Sequence, residues 1–133
     1  MAVDLLRIFI YADGEGHLHD VPIRRMFSLV DGVIGGEGNG PLVPDSKRCG
    51  LIVAGFNSCA VDAVCARLMG FDYNKLRILA YPLAHPAEFR CKIKEIRVHT
   101  NNERFRNLFI EKSQDRYFAF RPPRGWEGFI ELW

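Results

Sequence analysis

Apolar residues recur along this chain at two spacings, one helical and one extended, and glycine or proline marks most of the changes between them. Leu5, Leu6, Phe9 and Ile10 fall at i, i+1, i+4 and i+5, which predicts a helix over residues 2–10. The contiguous Ile8, Phe9 and Ile10 leave a strand as the alternative there. Asp13-Gly14-Glu15-Gly16 reads as a turn, and His17 to Pro22 as loop. Phe27 to Val30 predicts a buried strand that ends at Asp31-Gly32. Gly35 to Pro44 then reads as a long loop with a tight turn at Asn39-Gly40, because Pro41 and Pro44 oppose regular pairing. Gly50-Leu51-Ile52-Val53-Ala54-Gly55 is the clearest strand, an apolar run that predicts burial on both faces.

Asn57 or Ser58 can cap a helix that ends before Gly70. Between them only Asp62 and Arg67 are charged, so this helix is expected to be buried on most sides. Asp72 can cap a further helix to about Ala80, and Tyr81 to Pro86 reads as proline-punctuated loop. Ile96 and Val98 alternate with charged residues, which predicts a half-exposed strand over 95–100. A short helix is expected from Glu103 to about Lys112 behind Asn102, and a strand over Tyr117 to Phe120. Interleaved strands and helices predict one α/β domain over residues 1–133, layered, with a small mixed sheet flanked by helices.

The composition is that of a globular chain: hydrophobic residues are 48% and charged residues 26%, which excludes global disorder. No apolar run approaches the ~20 residues that span a bilayer. The start lacks the basic-then-apolar layout of a signal peptide, so a soluble, cytoplasmic protein with no membrane association is expected. Net charge is only +2, but residues 88–124 hold 10 Lys/Arg against 5 Asp/Glu. That stretch is either a solvated face or a surface for an anion or partner. Arginines among the aromatic residues of the tail resemble single-strand nucleic-acid platforms, but the low net charge favours core packing, and nucleic acid is not the expected partner. The cysteines at 49, 59, 65 and 91 form no C-x-x-C pair, so neither an iron–sulfur cluster nor a zinc knuckle is expected.

The candidate chemistry centres on Asp31-Gly32 and Gly36-Glu37-Gly38-Asn39-Gly40. Gly36, Gly38, Asn39 and Gly40 are the candidate cofactor contacts, although neither the dinucleotide fingerprint nor the phosphate-loop motif is present. One reading makes these glycines purely structural. The other places a polar site at Asp31, Glu37 and Asn39, where Asp31 and Glu37 offer the oxygen ligands a divalent metal takes, or share acid and base roles. Asp62 is the third candidate catalytic acid, either lining that site or serving only the helix dipole. His17 and His19 alternate but have no further ligand close in sequence; His85 and His99 read as structural.

Val30-Asp31-Gly32, Glu37-Gly38-Asn39-Gly40-Pro41, Gly50-Leu51-Ile52-Val53-Ala54-Gly55 and the block from Ala60 to Asp72 together resemble the prokaryotic family called domain of unknown function 362. The resemblance is strong over residues 28–80 and looser elsewhere. It implies a chain whose activity is not assigned, matching the C-terminal part of a longer family domain. Some members are joined to ferredoxin-like iron–sulfur segments, so the missing N-terminal part or a ferredoxin-like protein is the partner it implies. Its matching positions with chemical potential are Asp31, Glu37, Asn39, Asp62 and Arg67. Two functional readings follow: a ligand- or metal-binding, redox-associated enzyme part built on the carboxylates, or a non-catalytic interaction domain that docks on a partner.

Overall fold

A computed structural model describes residues 1–106, 108 and 117–133. Helix α1 spans Ala2–Tyr11, strands β1 and β2 span Ser28–Asn39 and Val43–Gly55, and helix α2 spans Ser58–Met69. A 3₁₀ turn over Tyr73–Lys75 leads into α3, Arg77–Ala84, and α4, Pro86–Phe89. The chain is thus an α/β fold, with the helical reading of residues 2–10 realised. Among the described residues the sheet is one antiparallel pair rather than a mixed sheet. No helix among the described residues is long and apolar enough to cross a membrane.

β1 and β2 form one long hairpin, paired from Ser28 opposite Gly55 to Asn39 opposite Val43. The glycine-and-proline stretch expected to be a loop is therefore mostly strand: β1 runs on past Asp31-Gly32 to Asn39, and β2 includes Pro44. The reason is steric. A Cβ on Gly36 would lie 2.9 Å from the Pro44 ring, so the missing side chain makes room for a proline on the neighbouring strand. Pro44 sits near the start of β2, where a lost N–H is best tolerated.

The register slips between Gly32, which faces Leu51, and Ile34, which faces Arg48. Val33 is thus set against Cys49 and Gly50 in a bulge, and Gly50 takes the left-handed φ of 67° that the irregularity needs. The inner face of the hairpin presses Leu51 and Val53 onto Val64 and Leu68 of α2, with Phe105 and Leu108. Each such buried aliphatic side chain contributes about 1.5–3 kcal/mol. The outer face carries Phe27, Leu29, Asp31, Ile34, Ile52 and Phe56, all exposed, so the strand at 50–55 is buried on one face and not on both.

Helix α2 forms as its sequence predicts. The Asn57 side chain accepts the Ala60 N–H at 3.0 Å, and Gly70 ends the helix at φ 88°. Its last carbonyls, which no helix can satisfy internally, are met by the tail: Phe118 N–H donates to Leu68 and Phe120 N–H to Met69, both at 2.8 Å. Tyr117 to Phe120 accordingly follows the end of α2 and is not a strand. Phe71, Phe120 and Ile130 form a second cluster there. Of the aromatic tail residues, Tyr117 and Phe120 are buried, whereas Trp126, Phe129 and Trp133 are exposed.

Three further expectations are corrected. Tyr81 to Pro86 is helical, with Pro82 inside α3 and fully buried, so packing outweighs the lost hydrogen bond. Residues 95–100 make no ladder, yet Ile96 and Val98 still pack against the α2 cluster. Asp72 and Asn102 cap 3₁₀ turns, Tyr73–Lys75 and Glu103–Phe105. The extension of the latter to Lys112 lies outside the described residues.

Candidate functional site

Glu37 is held inside a clamp between the hairpin and the tail. Its carboxylate accepts Lys47 Nζ at 2.8 Å and the Arg121 backbone N–H at 2.9 Å, and its side chain is 17% exposed. Burial pushes this carboxyl up, but Lys47 and the Arg121 N–H outweigh that and hold it below its ordinary value. Lys47 also donates to the Ala119 carbonyl at 2.8 Å. Gly38 N–H donates to the Arg121 carbonyl at 2.9 Å, and Arg121 pairs with Asp45. Asn39 accepts the Arg124 N–H at 2.9 Å.

The glycines fit the same arrangement. A Cβ on Gly35 would lie 2.8 Å from the Phe120 ring, and one on Gly38 would lie 3.2 Å from the Arg121 guanidinium. Gly38 also takes φ 76°. Gly40 lies in the turn. Of the proposed cofactor contacts, Gly38 and Asn39 thus touch the tail of the chain itself, and Gly36 touches Pro44.

Asp31 and Asp62 lie elsewhere. Asp31 is exposed on the outer face, and its carboxylate accepts the Val33 N–H at 3.0 Å. Glu37 is six residues further along β1, roughly 20 Å away along a strand, and turned to the inner face. Asp62 is exposed on α2; burial alone pushes its carboxyl up, with no contribution from Asp31 or Glu37. Among the described residues no group of three or more His, Cys, Asp or Glu side chains is placed to hold a metal ion. The four cysteines are free. Burial, with Asp62 or Cys59 adding to it, pushes the Cys65 and Cys91 thiols up to about 11, so both are protonated at neutral pH.

Asp31, Glu37 and Asp62 line neither of two open cavities bordered by described residues. One, of about 890 Å³, lies between β2, α2 and residues 97–102. The other, of about 290 Å³, lies beside the start of α2, with Arg24, Arg25 and Arg90 on its wall. Sequence reading missed Lys47 and Arg121 as partners of Glu37, and Arg97 and His99 as groove residues. The alternation of Arg97 and His99 with the inward Ile96 and Val98 was the available signal.

Arg67 is only 6% exposed within the apolar body of α2. Its Nε donates to the Leu108 carbonyl at 3.2 Å, and its guanidinium lies 4.9 Å from the Tyr117 ring centre. It acts as an internal tie between α2 and the later part of the chain.

Because Glu37 is ionised in the fold at a lowered pKa, its contribution to stability is complete above its unfolded value, about 4.3, and is lost as pH falls through the folded value. Glu37→Gln is therefore expected to cost about 1–2 kcal/mol at pH 7. The cost should be smaller at pH 3 than at pH 7. Urea melts at both pH values check this; an equal cost at both would refute the clamp.

The family model for a domain of unknown function (DUF362) matches residues 1–67. No curated protein and no solved structure matches the chain.

Proposed function

The chain belongs to the family described as a domain of unknown function (DUF362), so its role must be read from its own surfaces, and we propose that it is a non-catalytic interaction domain. It docks a companion domain against the outer face of the β1–β2 hairpin. The observation that carries this reading is the apolar content of that face. Phe56 is 77% exposed, and Leu29 and Ile52 are each 65% exposed. Phe27 and Phe56 pack at a tilt with ring centres 5.1 Å apart, leaving both rings open to solvent. A contiguous apolar patch rimmed by polar residues is how a protein surface prepared for another protein looks. The companion would be the remainder of a longer family domain or a ferredoxin-like protein. The alternative, a ligand or divalent metal held by carboxylates, has less support, since Glu37 already has Lys47 and the Arg121 N–H as partners.

Light scattering and a hydrophobic-dye titration of the purified chain test this. Concentration-dependent association and dye binding are expected, with both reduced at least fivefold in Leu29→Lys/Ile52→Lys. A well-behaved monomer that binds no dye would overturn the reading.

A further inference from the structure

Among the described residues β2 pairs with β1 along one edge only. Its other edge, from Cys49 to Gly55, borders the 890 Å³ groove. That is seven residues, about 23 Å of strand. Among the described residues no main-chain group of 49–55 bonds to anything outside the hairpin. The opposite wall is residues 97–102, outside any helix or strand, and among the described residues the N–H groups of 97–101 find no acceptor. A strand edge and a second, irregular main chain, both with unfilled bonding groups, therefore border one groove.

The groove has chemical character as well as shape. Val61, Val64, Leu68 and Phe105 make its floor apolar. Arg97 and His99 stand on its wall, and among the described residues no Asp or Glu lines it. An unpaired strand edge is a ready template for another strand, with main-chain bonds supplying affinity and alternate side chains supplying choice.

We propose that this groove receives an extended segment of a companion protein as an added β-strand, its alternate side chains apolar toward the α2 floor and acidic beside Arg97 and His99. The proposal rests on the interaction reading above and adds to it the kind of segment recognised. A second copy of this chain is the rival occupant, and its basic 88–124 stretch makes it the poorer electrostatic match.

The probe is an end-blocked, labelled nonapeptide alternating valine and glutamate, added to the full chain, with its valine–lysine counterpart as control. Amide exchange across 49–55 and 97–101 should slow at least tenfold with the glutamate peptide. Fluorescence anisotropy should show the lysine peptide binding at least tenfold more weakly. Arg97→Glu, at an exposed position, should narrow that ratio at least tenfold. N-methylation of the valines should abolish binding. Equal binding of the two peptides, no protection of those amides, or their protection by self-association without peptide would each overturn the proposal. Should Arg97→Glu fail to fold, the two peptides on the unaltered chain still decide. If Leu29→Lys/Ile52→Lys suppresses dye binding while the glutamate peptide protects nothing, the added strand is refuted and open-face docking survives. If the peptide protects the groove while the open face proves inert, docking through the hairpin face falls and the groove stands.

Discussion

Arg67→Ala is expected to remove about 3 kcal/mol of folding free energy, a large share of what a domain of this size has in reserve. Three losses combine. The buried Leu108 carbonyl loses a charged donor, worth about 1.5–3 kcal/mol. The Tyr117 ring loses a desolvated cation over its face, worth up to about 2 kcal/mol. The vacated space then adds a cavity cost, partly relieved by collapse. These terms overlap, so they do not simply sum. The melting temperature should fall by roughly 10 °C. Arg67→Met, which keeps the volume without the N–H groups, should recover part of the loss, as apolar replacements of buried charges tend to. A loss under about 1 kcal/mol in thermal and urea melts would show that Arg67 does not tie α2 to the later chain.

Gly35→Val should be nearly as damaging, at about 2–3 kcal/mol. The inner face of β1 has no space there: the Phe120 ring atoms lie 2.8 and 3.0 Å from where a Cβ would sit. Phe120 is buried, and its N–H is bonded to the end of α2, so it cannot give way without loosening the tail. Hydrogen exchange at Phe118 and Phe120 should accelerate in this variant. The double substitution Gly35→Val with Phe120→Ala should cost at least 1 kcal/mol less than the sum of the two single costs, since the two sites share one contact. Additive costs would mean that the valine is harmful for another reason. Gly14→Ala is the matched control, with nothing within 4 Å of its Cβ position.

These glycines show where sequence reading succeeds and where it stops. Asn57 and Gly70 bound α2 as their side-chain and backbone chemistry requires, because capping is a local property. The α/β class was legible for the same reason, in periodicities that each segment carries by itself. The stretch 35–44 was misread because glycine and proline break strands locally, whereas here Gly36 makes room for Pro44 across the hairpin, and Gly35 and Gly38 make room for Phe120 and Arg121, more than 80 residues away. Pro82 is the same lesson in a helix: burial overrode its local preference. Residues 95–100 carried a true alternation, yet alternation reports which side is buried and not whether a neighbour pairs. As for the candidate site, Glu37 and Asn39 were legible as polar residues set among glycines, and in the structure both have specific partners within the chain. Which partners could not be read, because Lys47 and the Arg121 and Arg124 amides reach them only through tertiary placement.

The bulge at Val33 sets the phase of the whole hairpin. Upstream of it, even-numbered positions of β1 look inward; downstream, odd-numbered ones do, and so Val30 and Glu37 both address the same layer. A single-residue deletion there would act like a frameshift in three dimensions. One half of the strand would stay correct while the other half turned inside out, swinging the half-buried Glu37 outward and bringing a glycine into its place. Length at this point is consequently under tighter control than residue identity, and variation within such chains should spare the spacing even where it changes the letters.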